Sequence, residues 1–209
     1  MTDYVKRKEH LLGVISKIND CTRCPLSTTR NNVVPGEGSI QSPIMFVGEG
    51  PGADEDASGR PFVGKAGQLL TKILESVKID RQDVYITNIV KCRPPNNRVP
   101  TTEEKNACSP YLLSQIAIVS PKVIVALGAT ALSFFVSDEK IRMTEARGKL
   151  FDWLGGIKIF VMFHPSYLLR YPSRDPGSPK SLTWEDIQNI RKMYDRLLEG
   201  REIELQGGG

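Results

Sequence analysis

Four short apolar runs punctuate the chain: Pro43–Val47, Val84–Thr87, Lys122–Leu127 and Ile157–Phe163, each rich in Val and Ile and bounded by turn residues. Their apolar residues are continuous rather than alternating, the pattern of strands buried on both faces. Between them the periodicity becomes helical. Residues Asp3–Asn19 alternate charges with apolar positions at helical spacing, and Lys65–Val77 read as one helix. Another begins after Pro100, where Thr101 and Glu104 stand at capping-box spacing. A short helix follows Gly128, and the last is expected from about Thr183 to Glu199, with Thr183 and Asp186 as its start signal. The stretch Arg170–Pro179, rich in Pro, Ser, Arg and Gly, predicts an exposed loop. Strands alternating with helices predict a parallel sheet with crossover helices, an α/β fold.

Composition narrows this picture. The 209 residues, 40% hydrophobic and 25% charged, suit one globular domain, expected over 1–200 with 201–209 as a flexible tail ending in Gly207–Gly209. No apolar run approaches the roughly 20 residues of a membrane span. The N-terminal sequence lacks the pattern of a signal or transit peptide, so a cytoplasmic location is expected. A net charge of +4 permits nucleic-acid binding without selecting it. The four cysteines, Cys21, Cys24, Cys92 and Cys108, say more. Inside a cell paired cysteines bind metal more often than they form disulfides. Their spacing suits Zn²⁺ or an iron–sulfur cluster about equally, although the wide second pair is unlike the two tight knuckles of a zinc ribbon.

In an open parallel sheet, ligands bind beyond the carboxyl ends of the strands. There the sequence places Gly48-Glu49-Gly50-Pro51-Gly52-Ala53-Asp54-Glu55-Asp56, then Asn88 with Lys91-Cys92-Arg93, then Gly128-Ala129-Thr130, then His164-Pro165-Ser166-Tyr167. Glycine, acid, amide and imidazole thus converge on one rim. Two nucleotide motifs are excluded. The glycines from Gly48 do not keep dinucleotide-fingerprint spacing, and the acids after them would repel a pyrophosphate. Gly59–Lys65 nearly matches a P-loop, but Ala66 replaces the hydroxyl residue that binds Mg²⁺.

The segments GEGPGADED, GRPFVGKAG, TNIVKCRPPNNR and HPSYLL, in this order from about Cys21 to Leu169, resemble the family 4 (thermostable, iron–sulfur) uracil-DNA glycosylases. The resemblance implies a three-layer α/β/α sandwich around a four-stranded parallel sheet. It implies a monofunctional DNA-repair enzyme that flips uracil from DNA, hydrolyses its N-glycosidic bond and leaves an abasic site. Its cofactor would be one 4Fe–4S cluster held by Cys21, Cys24, Cys92 and Cys108. Its partner would be uracil-containing DNA, with no membrane; the protein is expected as a monomer, and a sliding-clamp partner is not readable.

Such an enzyme must hold an extruded base in a snug pocket and read its Watson–Crick edge. By resemblance Phe62 stacks on uracil and Gly50 lies in the substrate loop. Asn88 has an amide that can both accept from and donate to the uracil edge. His164, of the His-Pro-Ser motif, would stabilise the departing anion, a contribution of several kcal/mol in a dry pocket. Better-studied relatives carry an Asp where this loop has Gly50, so their general base does not carry over. Glu49, Asp54, Glu55 and Asp56 remain candidates, with Glu49 and Glu55 matching positions near the pocket; the reaction could also run with little base assistance. Leu168 occupies the place of an apolar wedge. Arg93 and Arg170, with Arg98, Arg174 and Lys65, are candidate phosphate contacts. Two other readings stand beside this one. A relative that traps uracil-DNA would carry a basic, His-containing insertion after PFVG, and this chain has none. A non-enzymatic iron–sulfur module would tolerate loss of Asn88 or His164.

Overall fold

A computed structural model describes residues 2–138 and 140–203. The chain runs α1 (Asp3–Asn19), β1 (Glu37–Gly38), β2 (Ile44–Gly48), α2 (Ala53–Ser58), α3 (Lys65–Ser76), β3 (Tyr85–Asn88) and α4 (Thr102–Val119). It continues through β4 (Val123–Leu127), α5 (Ala129–Phe135), α6 (Met143–Ala146), β5 (Leu150–Asp152), β6 (Lys158–Met162), α7 (Pro165–Arg170) and α8 (Pro179–Leu198). Of the expected tail, residues 204–209 lie outside the described residues. Among the described residues no helix is long and apolar enough to cross a membrane.

Because successive strand residues point to opposite faces, the central strands feed two cores. Met45, Val47, Ile124, Ala126, Ile159 and Val161 pack with Leu11 of α1, Leu112 and Ile116 of α4, and Leu132 of α5. Ile44, Phe46, Val125, Phe160 and Met162 pack with Leu70 and Leu74 of α3 and Ile187 and Ile190 of α8. The result is the expected α/β/α layering. The sheet, however, has six strands, ordered β1-β3-β2-β4-β6-β5, rather than four. The inner four are parallel as expected, whereas β1 and β5 pair antiparallel at the edges. These edge strands span only two and three residues and carry no apolar run, so nothing in the pattern announced them.

The helix ends follow local chemistry. Thr101 caps α4 as its spacing predicted, accepting from Glu104 N at 3.2 Å while the Glu104 carboxylate accepts from Thr101 N at 2.8 Å. The start of α8 differs from expectation. Ser178 caps it, accepting from Ser181 N at 3.3 Å, and Pro179 takes the first turn. Asp186 is instead buried within the helix, paired to Arg147 at 2.7 Å.

Candidate active site

The parallel register sets Gly48, the last residue of β2, opposite Asn88, the last of β3. Asn88 is buried, and its Oδ1 has no hydrogen-bond partner. Such an orphaned acceptor is rare inside proteins and points to a missing partner. Asn88 and Phe62 approach the end of β2 this closely because residue 48 has no side chain. A Cβ there would lie 2.5 Å from Asn88 Oδ1 and 2.6 Å from Phe62 Cζ.

Phe62 reaches this point from a strained loop. It adopts φ 51, a left-handed conformation that costs a non-glycine residue about 1–3 kcal/mol unless its surroundings enforce it. Here they do. Glu55 Oε1 accepts from Val63 N and Gly64 N, both at 2.8 Å, and its Oε2 accepts from Gly52 N at 3.0 Å. Arg81 Nη2 donates to Pro61 O at 2.5 Å and to Glu37 Oε1 at 3.0 Å. On α3, residue 67 must be glycine, because a Cβ would stand 1.9 Å from the Phe62 carbonyl carbon. The Phe62 ring then lies 5.7 Å from that of His164, tilted by 36°.

His164 follows β6 and caps α7. Its Nδ1 accepts from Ser166 N at 3.2 Å and lies 2.8 Å from Ser166 Oγ. Because a backbone N–H can only donate, Nδ1 holds the lone pair and the neutral ring carries its proton on Nε2. Burial pushes the imidazole down to about 4, with Arg170 adding to the shift and Glu55 opposing it. At neutral pH it is therefore an uncharged donor.

The four candidate acids separate. Glu49, partly exposed, accepts a hydrogen bond from Thr130 Oγ1. Glu55 commits both oxygens to the backbone bonds above. Asp54 is exposed. Asp56 is buried and engaged by Asn31 N and Nδ2 at 2.9 and 2.7 Å, so it holds the fold rather than facing the rim. A Cβ on Gly50 would meet Val90 Cγ2 at 2.8 Å, which places that loop against the segment following β3.

On α7, Leu168 is 1% exposed and packs in the core, whereas the neighbouring Leu169 is 46% exposed. Arg170 is exposed, its guanidinium 5.9 Å from the Tyr167 ring centroid. Arg93 Nε donates to Asn97 Oδ1 at 2.8 Å. Arg98 is taken up by the buried Glu104 through bonds of 2.8 and 2.6 Å. Lys65 and Arg174 are exposed.

The four cysteines, none in a disulfide, line one pocket together with Ile18, Arg30, Lys91 and Tyr111. Cys92 Sγ accepts from Arg30 Nη1 at 3.2 Å, and Cys108 Sγ accepts from Lys91 N at 3.3 Å. Burial pushes the Cys108 thiol up to about 11 against the opposing charge of Lys91, and it raises Cys92 against Arg30. Among the described residues no three or more His, Cys, Asp or Glu side chains are gathered as ligands of a metal ion.

Several of these residues were not visible as site residues in the sequence. Gly48 stood in a quoted glycine run, and Ser166 in the His-Pro-Ser segment. Arg81 and Gly67 carried no signal at all. Lys91 did carry one: a lone charge directly after the apolar pair Ile89-Val90.

Known proteins share this arrangement of sequence. A profile described as the Uracil DNA glycosylase superfamily matches residues 35–188. A type-4 uracil-DNA glycosylase of Thermotoga maritima is 55% identical over 190 residues, covering 90% of this chain and 97% of the relative. Its counterpart from Archaeoglobus fulgidus is 44% identical over 170 residues, 78% and 85% of the two chains. A type-5 uracil-DNA glycosylase of Pyrobaculum aerophilum is more distant, 32% identical over 187 residues, 74% and 81% of the two chains.

Proposed function

Because the chain belongs to the uracil DNA glycosylase superfamily, and within it to the type-4 enzymes, we propose that it removes uracil from DNA through a pocket of Phe62, Asn88 and His164. It is a monofunctional DNA-repair glycosylase that hydrolyses the N-glycosidic bond. The observation that carries the pocket assignment is the partnerless Oδ1 of Asn88, buried beside side-chain-free Gly48. That oxygen is placed to accept from uracil N3–H, where cytosine offers no donor. Phe62 provides the stacking face, and Gly50 keeps the loop against Val90. The Nε2–H of His164 would donate to the uracil carbonyl on which negative charge grows as the bond breaks, an interaction worth about 10²–10³ in rate.

The two glutamates take different roles. Glu49, partly exposed and steadied by Thr130, is the group that would orient water or face the sugar cation. Glu55 braces the Phe62 loop and sets a negative charge near His164. On the DNA side, Leu169 is the more exposed wedge candidate beside Leu168, with Arg93, Arg170, Arg174 and Lys65 as phosphate contacts.

The cysteine pocket fits a 4Fe–4S cluster by its donor set, four sulfurs around one cavity, two of them already accepting N–H bonds. Cys21, Cys24, Cys92 and Cys108 would hold the group, and their ligation would tie the Cys21–Cys24 segment to Cys92 and to α4. The hydrolysis needs no electron transfer from it.

Release of free uracil from U:G, U:A and single-stranded U oligonucleotides tests the assignment. Asn88→Ala and His164→Ala should each lose about a hundredfold or more. Near-wild-type release by either variant overturns the pocket.

A further inference from the structure

We propose that Lys91 is a positioning residue for base recognition: from the wall of the cysteine pocket, its buried side chain holds the end of β3 that carries Asn88. This rests on the assignment of Asn88 above. Lys91 is 1% exposed, and its Nζ donates to Asn88 O at 2.7 Å and to Thr87 Oγ1 at 2.6 Å. The other end of the residue is fixed as well. Its N–H donates to Cys108 Sγ, and its carbonyl accepts from Val34 N at 2.8 Å. Thr87 Oγ1 passes the network on to Pro35 O at 2.7 Å, which also accepts from Gln115 Nε2 at 2.8 Å.

Two physical points make this more than packing. A main-chain oxygen buried at the end of a strand needs a donor to stay in place, and the Lys91 amine supplies it for the residue whose side chain would meet the base. The N–H of the same residue donates to Cys108 Sγ at 3.3 Å, which fixes its main chain to the wall of the cysteine pocket. One residue therefore joins the cysteine pocket to the amide that reads the base.

The test is a double-mutant cycle on the loaded protein, comparing wild type, Lys91→Met, Asn88→Ala and the double variant in kcat and KM for uracil release. Methionine keeps the stem and removes the donors. Lys91→Met should lose about tenfold or more in kcat/KM with its visible absorbance intact, yet less than about twofold further in the Asn88→Ala background. Losses that simply multiply, or an unaffected single variant, overturn the proposal. Thr87→Val removes one of the two acceptors and carries the same cycle should the lysine variant fail to load; a loss independent of Asn88 again overturns it. A second readout is equilibrium binding of an oligonucleotide carrying a non-cleavable uracil analogue, which should weaken about tenfold in Lys91→Met; unchanged binding overturns the proposal. If Asn88→Ala itself remains active, the pocket assignment fails; if only Lys91→Met is silent, this inference alone fails.

Discussion

At the rim, Phe62 is held at φ 51 and Asn88 Oδ1 lies buried without a partner, whereas in the cysteine pocket none of the four cysteines has a left-handed backbone. Two of the pocket's sulfurs already accept hydrogen bonds from Arg30 and Lys91. One region keeps unmet capacity and enforced strain; the other is supported from within the chain. Under the proposed function the difference would separate two tasks. A base site would leave its acceptor open until the base arrives, and a cluster site would surround its donors with support. Local inconsistency in an otherwise consistent fold is where chemistry is expected.

The sharpest way to break this contrast is Gly48→Ala. The nearest atoms to the added methyl are the Asn88 amide oxygen and the tip of the Phe62 ring, so it should cost activity far more than stability. We expect kcat/KM to fall about a hundredfold, since displacements near 1 Å at a reacting centre have that effect, with the melting midpoint shifted by a few degrees at most. Wild-type turnover in this variant would show that the gap beside residue 48 is not the base site. The opposite signature belongs to the cysteines. Cys108→Ala should abolish the visible absorbance and lower the melting midpoint by roughly 5–10 °C, because metal binding and folding share one free energy. A colourless variant that melts with the wild type would remove the structural role.

The smallest effect is one of pH. His164 has its ordinary value of 6.5 pushed down to about 4. The unfolded chain therefore binds the extra proton first as pH falls, and this histidine's contribution to stability is lost between about 6.5 and about 4. In the folded enzyme the donor stays neutral, so the acid limb of kcat/KM that belongs to His164 should lie near pH 4. A limb at 6.5 would place the imidazole in water instead.

The buried centre of the fold was legible because β2, β3, β4 and β6 are covered on both faces and so read as unbroken apolar runs. β1 and β5 were not, since edge strands this short exist only through pairing with their neighbours. Thr183 and Asp186 mimicked a helix start because the sequence does not show Arg147, whose ion pair explains the aspartate. The expectation that Phe62, Asn88, His164 and the cysteines form sites came from ordered motifs. Which leucine of Tyr167-Leu168-Leu169 faces outward was not, because the His164 cap sets the rotation of the short helix α7. Arg81 and Lys91 act on atoms brought near only by folding or by a local turn, and no motif encodes that.

The cap at His164 has one more consequence. With its only lone pair directed at its own helix, the ring is a group of fixed polarity: it can give a hydrogen bond outward but has no place to take a proton from an attacking water. Under the proposed mechanism, any deprotonation of that water would fall to an oxygen elsewhere on the rim.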